Sequence, residues 1–160
     1  RKEAIIDLYI HPTLGGTIYL NGEKLLEHRE TINFDGIEIP TLDTDAETLL
    51  TASHAIYKER IYTLNDFFTI EKWISKKTLR LAQELNCEDA LKIATNLNEK
   101  IRLRLLETPY RISVPLWLVM LMKKFQKDNL TKATSACILR TLFNKRVGKL
   151  LISRFTRETY

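Results

Sequence analysis

Short apolar runs broken by turn residues fill the first forty positions, alternating with period two in ETINFDGIEIP, and the pattern switches to a helical period after Pro40. The chain therefore predicts strands first and helices afterwards. AIIDLYIHP, residues 4–12, is β-branched and aromatic and reads as a strand stopped by Pro12. In TIYLNGEKL an Asn21-Gly22 pair between apolar positions carries a hairpin signal. LNGEKLLEHRE is also a good helix former, and over residues 23–30 the two readings stand side by side. ETINFDGIEIP alternates as Ile32, Phe34, Ile37 and Ile39 around Asp35-Gly36, a second hairpin closed by Pro40.

From Pro40 onward the pattern is helical. Thr44-Asp45-Ala46-Glu47 reads as a capping box, opening a helix with Leu49, Ala52, Ser53 and Ile56 on one face. TLNDFFTIEKWISKK follows, with Asn65 as N-cap and Phe67, Ile70 and Ile74 on one side. A longer helix begins at Asn86, carries the stripe Ala90, Ala94, Leu97, Ile101 and Leu105, and ends at Thr108-Pro109. Ser113 caps the next, with Pro115 in its first turn. That helix is apolar nearly all round until Lys123, which predicts a position at the centre of a bundle. The stretch from Thr131 to about Phe155 is helical by propensity, but its wheel is mixed, and a break near Asn144 or Gly148 is expected. The expected fold is α+β: a short N-terminal strand and hairpin element over residues 1–42, then a predominantly α-helical bundle of five or six helices over 43–160.

Composition narrows this picture. At 160 residues the chain fits one domain or two small ones, with 44% hydrophobic residues for a core and 28% charged for a surface. Cys87 and Cys137 stand alone, without His/Cys clusters, and suggest a reducing, cytoplasmic setting. VPLWLVMLM, residues 114–122, is half the length that a bilayer requires, and no secretory leader pattern is visible. The start at Arg1 rather than Met, almost directly into a strand, is expected of a fragment of a longer protein. Net charge is +5, unevenly distributed. Residues 1–110 hold 14 Lys/Arg against 18 Asp/Glu, whereas residues 111–160 hold 11 against 2, a surface for a polyanion or a solvated helical face.

Phosphate loops, dinucleotide-binding glycines, nucleophile elbows and zinc-protease motifs are all absent from the sequence. His11, His28 and His54 are not at metal-ligand spacing from one another. His54 reads as structural, while His11 follows the first strand and lies near Asp7. Gly15-Gly16 reads as a turn. Asp7 is the conspicuous group, a carboxylate among Ile5, Ile6, Leu8 and Ile10 that is costly to bury unpaired. Either it faces solvent on an edge strand or it faces a cleft containing a cation. A Mg²⁺ site would need further acidic oxygens, and Asp43 and Asp45 read as helix-start residues.

The order IDLYIHP, ETINFDGIEIP, DAETLLTASHAIYKE and YTLNDFFTIEKWI resembles the C-terminal half of bacterial and archaeal nucleotidyltransferase-like proteins of the polymerase β-type superfamily. The resemblance covers about residues 4–75. It implies that Asp7 is the third carboxylate of a catalytic, metal-binding set holding Mg²⁺ around a nucleoside triphosphate. It also implies that LLTASHAIYKERIYTLNDFF belongs to a helical part covering the nucleotide or recognising an acceptor. The Gly-Ser turn and two paired acids of that superfamily do not occur in these 160 residues, so the resemblance implies that they lie upstream and that this chain is not catalytic alone. In a second reading the chain is a non-catalytic nucleic-acid- or protein-binding module. Phosphate or nucleic acid would then be held by Lys123, Lys124, Lys127, Arg140, Lys145, Arg146 and Lys149, with Trp117, Phe125 and Phe143 in the core. A third reading is a helical interaction domain whose charge serves only solubility.

Overall fold

The structure, a computed structural model, describes residues 10–144 together with 148 and 149. The fold is α+β, with short antiparallel strand pairs and a predominantly helical body. β1 (Thr13–Leu14) and β2 (Thr17–Ile18) form a minimal hairpin around Gly15-Gly16. Of the two readings open for this stretch the helical one is present, and Asn21-Gly22 makes no second hairpin. Instead it starts a short helix, α1 (Gly22–Leu26), and the Asn21 side chain accepts from Glu23 N and Lys24 N at 3.0 and 3.3 Å. Glycine is required at 22 because a Cβ would lie 1.9 Å from the Ile10 carbonyl oxygen. Close backbone approach, not a hairpin turn, explains that glycine.

The hairpin expected around Asp35-Gly36 is present as β3 (Arg29–Phe34) and β4 (Ile37–Leu42), with Ile32 opposite Ile39 and Phe34 opposite Ile37. Pro40 does not close it. The strand continues through Pro40, opposite Thr31, which an outer strand tolerates because a missing N–H is harmless there. Ile32, Phe34, Ile37 and Ile39 share one face, and all four are exposed.

Seven helices follow residue 43 among the described residues, more and shorter than the five or six expected, because polar caps interrupt the apolar pattern. Asp43, one position before the expected box, caps α2 (Thr44–Ser53) by accepting from Ala46 N at 2.9 Å. Thr63, not Asn65, caps α3 (Leu64–Trp73), in a reciprocal box with Asp66. Ser75 and Thr78 form another box that splits off α4 (Lys76–Glu84). α5 (Glu88–Arg102) buries Ala90, Ala94 and Leu97 as expected, but it ends well before Pro109, leaving Leu105 exposed. α6 (Val114–Lys127), α7 (Asn129–Thr134) and α8 (Ala136–Phe143) complete the body, and the expected break falls at Asn144.

α6 is not central. It buries Trp117, Met120, Leu121 and Lys124, one stripe at helical spacing, while Leu118, Val119 and Met122 are 50%, 52% and 56% exposed. One cluster of buried side chains joins Leu14, Leu20 and Leu25 of the first segment to Leu49, Ile56, Ile70, Leu91, Ile112 and Trp117. Each such aliphatic side chain contributes about 1.5–3 kcal/mol when fully buried. Phe125 packs against this cluster, whereas Phe143 is 86% exposed and is not a core residue. Among the described residues no helix is long and apolar enough to cross a membrane.

Polar side chains fix the helix ends. The Ser75 and Thr78 hydroxyls both donate to Asp45 Oδ1, and Lys77 reaches Asp43 at 2.8 Å. Burial pushes both carboxyls up, but these hydrogen bonds and the Lys77 charge outweigh it and leave both below the ordinary aspartate value. Lys124, fully buried, donates to the carbonyls of Leu85 (2.7 Å) and Asn86 (3.1 Å) and pairs with Asp128 at 2.7 Å. Burial likewise raises Asp128, and its bonds to Lys124 and the N–H groups of Thr131 and Leu130 bring it below normal. The first hairpin docks on the C-terminal helices: Ile18 N donates to Thr134 Oγ1 at 3.0 Å, and Thr141 Oγ1 donates to the Gly15 carbonyl at 2.8 Å.

Asp128→Asn keeps a helix-capping side chain but leaves the Lys124 ammonium without its counter-charge. It is expected to cost about 3 kcal/mol in urea denaturation, by the rule for breaking a buried pair; a loss under about 1 kcal/mol would count against this account. Carboxyls held below their unfolded values stabilise the fold fully above about pH 4, and that stabilisation is lost as pH falls through their lower folded values. The urea midpoint should therefore hold steady down to about pH 5 and fall by about pH 3, and a midpoint unchanged at the lower pH would refute the assignment.

Candidate functional site

α2 does not end at Ser53 but widens into one π-helical stretch, His54–Glu59, before Arg60 closes it in the left-handed region with φ 57°. The cause lies in the apolar pattern. Ala55, Ile56 and Tyr57 are all buried in succession, and a turn of larger radius lets three consecutive side chains face the core. The exit is clamped from several directions. Ile112 N donates to the Arg60 carbonyl at 2.8 Å, Arg60 Nη2 donates to the Ile112 carbonyl at 3.1 Å, and the guanidinium lies over the Trp117 ring. Trp117 Nε1 donates to the Tyr57 carbonyl at 2.9 Å, satisfying an acceptor at the end of the π turn. β5 (Ile61–Tyr62) then pairs with β6 (Tyr110–Arg111).

The π turn has a chemical consequence. Residues five apart on an α-helix point about 140° away from each other, whereas π-helical hydrogen bonding runs i to i+5 and brings them close. His54 Nε2 and Glu59 Oε1 are 3.3 Å apart. The other ring nitrogen, Nδ1, lies 3.2 Å from the Tyr19 hydroxyl, and the Tyr19 ring packs on Tyr57 at 5.8 Å between centroids. His54 is thereby held from both sides. π-helical turns of this kind recur at functional sites.

Two clefts open on either side of this histidine. The first, about 250 Å³, runs between α1, the end of β4 and the α2–π segment; Leu25, Leu42 and Leu50 form its wall, Ile10 and Pro12 its rim, and His54 and Lys58 its polar end. The second, about 360 Å³, is bounded by His54, Ala55, Glu59, Thr63, Asp66 and Pro109. Asp66 accepts from both the backbone N–H and the hydroxyl of Thr63 at 2.7 Å, so this wall is rigid. Beneath it, burial raises the Tyr62 hydroxyl well above the ordinary tyrosine value. That hydroxyl donates to Asn98, whose amide donates to the Phe67 carbonyl and to Glu71.

The described residues among those singled out in the sequence are not gathered in one place. Asp7, Lys145 and Arg146 lie outside the described residues. His11 has a structural role: its Nδ1 accepts the Gly22 N–H at 2.9 Å. Lys124 belongs to the interior and is no surface cation. Lys127 is held by Glu88 and Asp89 at 2.7 and 2.8 Å, with Lys123 at 3.9 Å from Asp89. The Lys127 hydrogen bond outweighs partial burial and holds Asp89 below its ordinary value. Only Arg140 and Lys149 of the described set are exposed without an ion pair among the described residues, so the described part of the basic segment presents less free positive charge than its composition implies. Among the described residues no three His, Cys, Asp or Glu side chains are grouped to hold a metal ion. Glu59, Tyr19 and Lys58 were not singled out. The His54–Glu59 spacing of five matches neither strand nor α-helix, and the one signal for it was the unbroken apolar run Ala55-Ile56-Tyr57.

An ionised carboxylate can only accept, and so can the nitrogen facing a backbone N–H. The neutral rings of both His54 and His11 should therefore carry their proton on Nε2, which ¹⁵N-detected NMR of the imidazoles measures directly. An Nδ1-protonated ring at either position would contradict the geometry. Compared with family models, curated proteins and solved structures, the chain gives no match.

Proposed function

We propose that this chain is the C-terminal portion of a nucleotidyltransferase-like protein of the polymerase β-type superfamily, acting in the cytoplasm on a nucleoside triphosphate and a second substrate. The observation that carries the reading is the position of His54. It stands in the wall between two clefts, one rimmed by Ile10, three positions after Asp7, and the other lined by Ala55 and Asp66. Of the two stretches behind the resemblance, His54-Ala55 and Leu64-Asn65-Asp66-Phe67, the second cleft is lined by His54 and Ala55 from the first and by Asp66 from the other. In this reading Asp7 is the third acid of a Mg²⁺-holding set whose other members lie outside these 160 residues, and the helical body supplies the walls that orient the substrates. Bound Mg²⁺ would neutralise the triphosphate. The alternative of a nucleic-acid surface over residues 111–160 draws less support, because Lys124 is interior and Lys127 is ion-paired.

Calorimetric titration of ATP, GTP, CTP and UTP into the full-length gene product should give saturable heat with at least one nucleotide. That heat should require Mg²⁺ and be lost in Asp7→Asn. Heat that persists in EDTA, or that Asp7→Asn leaves intact, would sink the reading.

A further inference from the structure

We infer that this chain forms a two-fold dimer in which the β3–β4 hairpin of each copy lays its apolar face on the outer face of α8 of the other. The inference is independent of the nucleotidyl-transfer reading. The hairpin stands away from the body, and every residue from Arg29 to Pro40 is exposed. Its two faces differ. Arg29, Thr31, Asn33 and Glu38 lie on one; Ile32, Phe34, Ile37 and Ile39, between 40% and 64% exposed, lie on the other, together with Glu30. A lone two-stranded hairpin is marginal in water and is stabilised once its apolar face is covered. Pro40 blunts the β4 edge against strand addition, which leaves the apolar face as the surface to cover.

The complement is carried on the same chain. On α8, Thr141 bonds the Gly15 carbonyl, Cys137 lies against Gly16 and Ile138 packs on the core. Ala136, Leu139, Arg140 and Phe143 fall on the opposite side at helical spacing, and all four are exposed. The charges match. In the hairpin Glu30, Asp35 and Glu38 outnumber Arg29, and none of the four has an ion pair among the described residues. Residues 129–143 contain no Asp or Glu, and Lys132 and Arg140 there are exposed without an ion pair among the described residues. An apolar face with an acidic rim thus meets an apolar face with a basic one, which sets orientation as well as favouring contact. Both faces are open to water within one molecule, so the pairing is between molecules. Area decides for two contacts over one. At roughly 100 Å² of exposed surface per large apolar side chain, one hairpin–helix contact covers roughly 600 Å², the size of a weak packing contact. Two contacts related by a two-fold axis cover roughly 1,200 Å², where specific, stable interfaces begin.

The test is analytical ultracentrifugation of the full-length protein from roughly 1 to 100 µM, a range that spans the weak end expected of an interface this small. A dimer is expected. Phe34→Glu on the hairpin and Phe143→Glu on the helix should each raise its Kd by at least roughly tenfold. Both side chains are exposed, so an unchanged far-ultraviolet circular-dichroism spectrum confirms that each variant is folded. The second arm exchanges the charges that Glu30 and Arg140 bring to the contact. Glu30→Arg and Arg140→Glu should each weaken the dimer roughly tenfold, and the double variant should return to within roughly threefold of wild type. A monomer throughout the range, with the hairpin covered inside its own molecule or not at all, overturns the inference. So does a dimer indifferent to Phe143→Glu, the mark of hairpins pairing with each other, or a double variant as weak as its parents.

Discussion

A charged ammonium sits inside this protein with no access to water, and much of the structure follows from keeping it satisfied. An isolated lysine charge in an apolar interior is among the most costly groups a fold can contain. Here the carbonyls of Leu85 and Asn86, the Cys87 sulfur and the Asp128 carboxylate surround the Lys124 nitrogen. Those acceptors come from the turn between α4 and α5, where Asn86 takes a left-handed conformation, and from the start of α7. Three helices and their junctions are thus referred to one atom. The lysine also sets the rotation of α6, since Trp117 lies seven residues earlier on the same face and reaches the Tyr57 carbonyl. A constraint at the base of α6 thereby extends to the π turn and to the orientation of His54.

The Asp35-Gly36 hairpin, the inner face of α2, the first part of the α5 stripe and the break at Asn144 were legible from residue types and period alone. Each depends on local pattern and nothing else. The failures have a common cause. Asn21-Gly22 is a strong turn signal in isolation, but its glycine answers to the Ile10 backbone packed against it, a contact that no local window contains. The apolar α6 looked central because nearly every position is hydrophobic, yet only one stripe has a partner. Lys124 looked like a surface cation because lysines usually are; its partners lie 37 to 39 positions upstream as well as four downstream. Caps were displaced by one or two positions where Asp, Thr, Ser and Asn crowd together and several candidates compete for the same backbone donors.

The site was legible in part. From sequence His54 reads as structural, which holds for its bonds to Tyr19 and Glu59. What sequence could not convey is that those bonds leave it standing between two depressions, because its partner is brought in by a change of helical pitch. Neither Tyr19 nor Glu59 falls on the α2 face that periodicity picks out. A helix that changes radius at one turn creates neighbours that a wheel of fixed pitch assigns to different sides.

The docking of the first hairpin onto α7 and α8 bears on how the chain is made. The hydrogen bonds from Ile18 to Thr134 and from Thr141 to Gly15 span 116 and 126 positions, and a Cβ at Gly16 would already be 3.0 Å from Cys137. Contacts between such distant positions close last, because the loop entropy they oppose is largest. During synthesis Gly15 and Ile18 leave the ribosome more than a hundred residues before Thr134 and Thr141, and until those arrive the first hairpin lacks this cover. The interval between those events is when a nascent chain of this kind depends on chaperones.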